Sequence, residues 1–206
     1  MGCLEHYEAS DMQTVRNQDN NAQYHIHIAC YYNIPGFWNG ALKSTMQKIR
    51  NECKNNIIVS LVPQCDATER WDGELINLLE EIDILILNEV EANCITKCRS
   101  DEDVANFFYD MSPFTHVIVT KGEKGAISLY QEQVINDQYA CQSIEVVDST
   151  DAGDAFTTGF IHGLHESNSV HSNNDKNNAF NNIQSEGTAA IPRKPIDYDA
   201  IKNGLR

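Results

Sequence analysis

The sequence predicts an α/β fold, a mostly parallel sheet flanked by helices. Three observations carry this expectation. Short continuous apolar runs recur, namely Ile57–Val62 (IIVSLV), Ile82–Leu87 (IDILIL) and His116–Thr120 (HVIVT). Stretches with helical spacing separate them. Each run stops at a turn-forming residue: Pro63, Asn88 and Lys121-Gly122. Strands covered on both faces read as unbroken apolar runs, and parallel neighbours need crossovers long enough to hold a helix.

Taken in order, residues 1–23 are polar and irregular, and a single α/β domain is expected over 24–206. Tyr24–Ala29 (YHIHIA) alternates as a strand does and puts His25 and His27 on one face, where a satisfied structural pair is expected rather than a metal site. Tyr31–Asn39 is a loop punctuated by Pro35 and Gly36. Ala41–Cys53 has helical spacing, with Leu42, Met46, Ile49 and Cys53 three and four residues apart. After the Ile57–Val62 strand, Leu75–Leu79 reads as a short helix. Ile82–Leu87 is a second buried strand, ended by Asn88. Val90–Cys98 and Asp103–Tyr109 read as helices, the first with Cys94 and Cys98 on one face as plain thiols rather than a metal pair. His116–Thr120 is a strand, and Gly125–Tyr130 with Gln133–Ile135 has the pattern of a hairpin. Ile144–Val147 leads into a helix over Asp154–His165. Residues 167–183 (SNSVHSNNDKNNAFNNI) are an Asn-rich insertion, read as a loop or a frayed helix. The end, Ile191–Arg206, carries one short amphipathic piece.

Composition removes several function classes. At 206 residues and 41% hydrophobic content the chain can bury a real core. No apolar run approaches the roughly 20 residues that cross a bilayer, and the first residues lack the basic and apolar regions of a secretory signal. The net charge of −15 repels nucleic acid and anionic membranes, so neither is an expected partner. Seven cysteines, odd in number and without a CxxC pair, suit a reduced, cytoplasmic protein. An anionic ligand would therefore need local devices: helix N-termini, backbone N–H groups, a few Lys or a metal ion.

One corner offers such devices. VVDSTDAGDAFTTGF (146–160) spaces Asp148, Asp151 and Asp154 three residues apart among small residues, between a strand and a helix. Free N–H groups at a positive helix end make an anion site, and Asp154 in the first turn could take a proton from an attacking hydroxyl. From this segment alone a second reading stands equally open: Ser149, Thr150 or Asp151 caps the helix, and Asp154 only favours its dipole. A calcium loop is excluded, because its acids fall at alternate positions.

The segment Asp148-Ser149-Thr150-Asp151-Ala152-Gly153-Asp154-Ala155-Phe156 resembles the D-T-x-G-A-G-D-x-F signature of the PfkB/ribokinase family of carbohydrate kinases. Asn88-Glu89-Val90-Glu91 is similar to that family's N-x-x-E motif. Thr120-Lys121-Gly122-Glu123-Lys124-Gly125 is similar to its T-x-G-x-x-G segment, and Leu61–Gln64 with Trp71 to a strand end and turn of the same fold. The similarity spans about residues 24 to 165.

The resemblance implies a ribokinase-like fold, truncated at its N-terminal side, and an ATP-dependent kinase acting on a sugar or nucleoside hydroxyl. Asp154 is implied as catalytic base, with Ala152, Gly153 and Asp154 giving N–H groups to an anion hole. Asn88 and Glu91 would organise Mg²⁺ and phosphates, largely through water. Thr120 and Gly122 would line the nucleotide site, with Gly125 turning the chain beside it. The sequence departs from the pattern where Asp151 replaces the first glycine of the anion hole, and where the family's early substrate-binding portion has no counterpart before residue 24. Both departures leave an alternative: an inactive nucleotide-binding or partner-binding remnant of the fold.

Overall fold

A computed structural model describes residues 24–53, 56–130, 133–138 and 152–170. Six strands are hydrogen-bonded neighbours in sequence order: β1 (Tyr24–Ala29), β2 (Ile57–Val62), β3 (Ile84–Asn88), β4 (His116–Thr120), β5 (Ala126–Tyr130) and β6 (Gln133–Gln138). The helices are α1 (Ala41–Glu52), α2 (Leu75–Leu78), α3 (Glu89–Thr96), α4 (Asp101–Met111) and α5 (Ala152–Val170). Among the described residues, one compact unit runs to Ile118 and takes in Leu129, Tyr130 and Gln133. A second holds Val119–Ser128 and the chain from Val134 onward.

In the first unit β1 pairs with β2 in parallel, Tyr24 beside Ile57 through Ala29 beside Val62, and β2 pairs with β3 in parallel, Ser60 beside Ile84. Val59, Leu61, Ile84 and Leu85 are fully buried, as unbroken apolar strands in a covered sheet require. Leu42, Met46 and Ile49 of α1 are buried at the predicted spacing. The histidines of β1 have the expected structural partner: His25 Nε2 and His27 Nδ1 each lie 2.8 Å from Ser60 Oγ on the neighbouring strand.

Several boundaries differ from the sequence expectation, each for a local reason. β3 begins at Ile84 rather than Ile82, because Ile82 closes a 3₁₀ turn over Leu79–Glu81 through its N–H to Leu79 O. Asp83 then bonds to β2 with its side chain: Val59 N–H donates to Asp83 Oδ2 at 2.7 Å, and Asp83 N–H returns to Val59 O at 2.9 Å. α3 ends at Thr96 because Lys97 is left-handed (φ 61°), a common helix stop. Cys98 therefore lies beyond the helix, and the pairing of Cys94 with Cys98 on one helix face does not form. Cys53 likewise falls one residue past α1. α4 starts two residues early, where Ser100 Oγ caps it by accepting from Asp103 N–H at 3.1 Å. The loop after β1 contains a 3₁₀ turn at Tyr31–Asn33.

β5 and β6 are sheet neighbours joined by two residues, and only an antiparallel hairpin closes over so short a link. α5 starts at Ala152, not Asp154, and runs past His165 to Val170. It buries Phe156, Phe160 and Leu164, four residues apart, with the two Phe rings stacked at 6.5 Å. Residues 1–23, the strand at Ile144–Val147, Asp151, the Asn-rich insertion from residue 171 and the end of the chain lie outside the described residues. No described helix is long and apolar enough to cross a membrane.

His116, at the start of β4, is buried with its ring 5.6 Å from that of Tyr130. Burial pushes its pKa from 6.5 down to about 4. The folded state thus keeps the ring neutral while the unfolded chain takes up a proton near 6.5. This contribution to stability is complete above pH 6.5 and is lost as pH falls towards 4. Thermal midpoints measured across that window are expected to drop in the wild type, and a His116→Gln variant is expected to lose that slope.

Candidate active site

The parallel pairing aligns three strand ends in the first unit. Ala29 stands beside Val62, and Leu61 stands beside Leu85, three residues before β3 ends at Asn88. The corners at Cys30–Tyr32, Pro63–Asp66 and Asn88–Glu91 therefore share the carboxyl edge, where open α/β sheets hold ligands.

Asn88 ends β3 and caps α3. Its Oδ1 accepts from Glu91 N–H at 2.8 Å, and Glu91 Oε2 accepts from Asn88 N–H at 3.0 Å. This is the reciprocal capping box that N-x-x-E spacing allows. Glu91 is only 7% exposed. Burial raises its carboxyl above the ordinary range, with the Asn88 N–H bond opposing. A cation beside a buried carboxylate would favour its charged form. Among the described residues no three acidic, His or Cys side chains converge to hold an ion directly. With Asn88 Oδ1 and Glu91 Oε2 engaged in the capping box, the pair could meet an ion through water, the habit of Mg²⁺.

Two side chains to which the sequence assigned no role sit on the same edge. Asp66, 2% exposed, accepts from Thr68 N–H (2.8 Å), Thr68 Oγ1 (2.8 Å) and Trp71 N–H (2.7 Å). Burial pushes its carboxyl up, but these bonds outweigh burial and hold it below its ordinary value. Tyr32 is buried against Trp71, ring edge to face at 5.3 Å, and its N–H donates to Pro63 O. Tyr31 donates its hydroxyl to Gly73 O. An Asx-turn signal at Asp66-Ala67-Thr68 was readable in the chain; the partner of an aromatic 34 residues upstream of it was not.

The second unit holds the other candidates. Thr120 ends β4, and the chain turns through Gly122–Lys124 into β5. Gly122 (φ 56°) and Gly125 (φ 88°, ψ −132°) take angles closed to most side chains, the latter almost exclusively a glycine region. Lys121 N–H donates to Gly125 O at 2.7 Å and closes the turn. In α5, Ala152, Gly153 and Asp154 are the first three residues, and all are exposed. Among the described residues nothing lies within 4 Å of the position a Gly153 Cβ would occupy. The structure thus joins Asn88 to Glu91, Gly122 to Gly125, and Ala152 to Gly153 and Asp154 within single local motifs.

This fold places the chain among α/β proteins whose ligand sites lie beyond parallel strand ends. The profile of the pfkB family carbohydrate kinases matches residues 5–175, and the chain belongs to that family. It is 36% identical over 87 residues to a fructokinase of Escherichia coli, covering 42% of this chain and 27% of that protein. It is 34% identical over 128 residues to an ATP-dependent 6-phosphofructokinase of Thermoanaerobacterium thermosaccharolyticum, covering 59% of this chain and 39% of that protein. The chain thus spans well under half the length of these two relatives. Among solved structures, the fructokinase of Vibrio cholerae O395 bound to fructose, ADP and calcium superposes with a TM-score of 0.61 at 20% identity, over 97% of this chain and 65% of that one.

Proposed function

We propose that this chain transfers the γ-phosphate of ATP to a hydroxyl of a sugar or nucleoside, as a PfkB-type carbohydrate kinase. The start of α5 carries this reading. The N–H groups of Ala152, Gly153 and Asp154 fall in the first turn, where a helix offers them no partner of its own. They stand at the positive end of the helix, suited to the oxygens of a phosphoryl group. Asp154 supplies the base. The acceptor O–H bond breaks, its proton passes to the Asp154 carboxylate, the acceptor oxygen bonds to the γ-phosphorus, and ADP leaves. Thr120, Gly122 and Gly125 form a wall for the nucleotide, the two glycines letting the backbone come close. Asn88 and Glu91 would hold Mg²⁺ through its water shell, and the bound ion would offset charge between the phosphates. An acidic chain of this kind, with no membrane-crossing helix among its described residues, suits a cytoplasmic enzyme with a neutral acceptor.

A second reading, an inactive nucleotide-binding remnant, is favoured by Asp151, which stands where the family signature has glycine. A carboxylate beside a phosphate costs on the order of 1 kcal/mol in solvent and more when buried. Titrating the purified chain with Mg²⁺-ATP by calorimetry tests the first reading, with saturable heat expected. Absence of heat at millimolar nucleotide in folded protein would end it. Phosphate transfer to fructose and to adenosine is then compared with that of Asp151→Gly, where about a tenfold gain in turnover is expected, the equivalent of ~1.4 kcal/mol. Nucleotide binding without transfer in both proteins would establish the remnant.

A further inference from the structure

The Pro63–Glu74 loop, between β2 and α2, holds four non-glycine residues at left-handed angles: Gln64 (φ 59°), Glu69 (58°), Trp71 (57°) and Glu74 (60°). The rest of the described chain has three: Cys30, Asn39 and Lys97. The left-handed region brings Cβ too close to the carbonyl oxygen, and a bulky residue such as Trp lacks the local hydrogen bonds that ease Asn or Asp there. Asp66 imposes the shape by gathering Trp71 N–H and both Thr68 donors onto one buried carboxylate.

A second cost falls at the same spot. Tyr32, 4% exposed, packs on Trp71, and its hydroxyl finds no hydrogen-bond partner among the described residues. Burial holds it protonated, and Tyr31 and the carboxylates of Asp66, Asp72 and Glu91 act on it in the same direction. Among the described residues it is therefore a donor without an acceptor. Strained backbone and orphan buried donors persist where a site uses them. Tyr32 links this loop to the Asn88–Glu91 corner: its ring packs on Trp71, and the Glu91 carboxylate acts on the same side chain.

We propose that the Pro63–Glu74 loop is a clamp on the nucleotide corner: strained in the free protein, it rearranges when Mg²⁺-ATP binds beside Asn88–Glu91, and the Trp71–Tyr32 contact is the part that moves. The proposal rests on the reading of the chain as an ATP-binding protein. A ligand shifts a conformation only as far as it binds the two states differently. Strain relieved in the bound state supplies such a difference, and the Tyr32 hydroxyl gains its acceptor there.

The test uses the full chain. Its two tryptophans both lie against this loop: Trp71 within it, and Trp38 beneath Gly73, where an added Cβ would stand 3.2 Å from Trp38 Nε1. Mg²⁺-ATP is titrated in parallel by calorimetry and by tryptophan emission, in the wild type and in Trp38→Phe, which isolates Trp71. The third protein is Glu69→Gly with Glu74→Gly, two exposed side chains whose removal relaxes the free loop and leaves Asp66 in place. Expected is an emission change that saturates with the heat, and about a tenfold weaker affinity in the double variant. Heat without an emission change, or wild-type affinity in a folded double variant, overturns the clamp and leaves the nucleotide site standing. No heat in the wild type overturns the clamp and the ATP reading together.

Discussion

Asp154→Asn is expected to lower phosphate transfer by about 10²–10⁴-fold, the range for loss of a general base, while Mg²⁺-ATP binding stays unchanged. That loss equals roughly 3–5 kcal/mol of transition-state stabilisation. The alternative role for Asp154 is a first-turn acid that favours the helix dipole, worth about 0.3–1 kcal/mol. The two roles therefore differ by orders of magnitude in rate. Asn keeps the shape of the side chain, and the backbone carbonyl of residue 154 still accepts from Thr158 Oγ1 at 2.8 Å. A folded variant with lost turnover and intact nucleotide binding assigns the base. Turnover within a few-fold of wild type would remove Asp154 from the chemistry and leave the backbone N–H groups of that first turn as the feature to test next.

Arg50→Ala is expected to destabilise the fold by about 3–5 kcal/mol, the cost of leaving a buried partner charge uncompensated. Arg50, on α1, is 6% exposed and reaches the start of β2 and the residues just before β3. Its Nη2 donates to Asp83 Oδ2 at 2.7 Å and to Glu81 O at 2.8 Å, and its Nε stands 3.4 Å from Glu81 Oε2, close but not aligned for a hydrogen bond. Asp83 and Glu81 are themselves buried, and Asp83 Oδ2 also holds Val59 N–H at the start of the β2–β3 ladder. Removing the guanidinium takes the counter-charge from two buried carboxylates and loosens that ladder. In a chain of this size the thermal midpoint should fall by about 10 °C. Arg50→Lys recovers only part, because an ammonium cannot reproduce the planar fork. Adding Glu81→Gln and Asp83→Asn to Arg50→Ala removes the stranded charges and should restore much of the loss. A drop below about 1 kcal/mol in urea unfolding would show the network to be no stronger than a surface pair.

The order and type of the elements were legible in the chain because they rest on local pattern. Ile57–Val62 and His116–Thr120 form strands at the predicted residues, since an unbroken apolar run has one way to be buried in a covered sheet. Asn88 and Glu91 cap a helix as their spacing allows, and Gly122 and Gly125 take turns that few other residues tolerate. The corners that gather candidate residues were marked by the same punctuation that ended the strands.

What lay beyond the sequence needed partners distant in the chain. Lys97 stops α3 in a left-handed turn and takes Cys98 off the helix, against a spacing that favoured one face. Asp83 becomes part of the sheet through its side chain because Arg50, 33 residues earlier, holds it there. Tyr32, Asp66 and Trp71 meet only because β1 and β2 run parallel and in register, which sets their two loops on one edge. Composition and spacing by themselves determined a parallel α/β chain and the corners at which its strands end. The tertiary structure decided which buried charges are matched and where the backbone is strained, since desolvation and packing depend on neighbours that periodicity does not name.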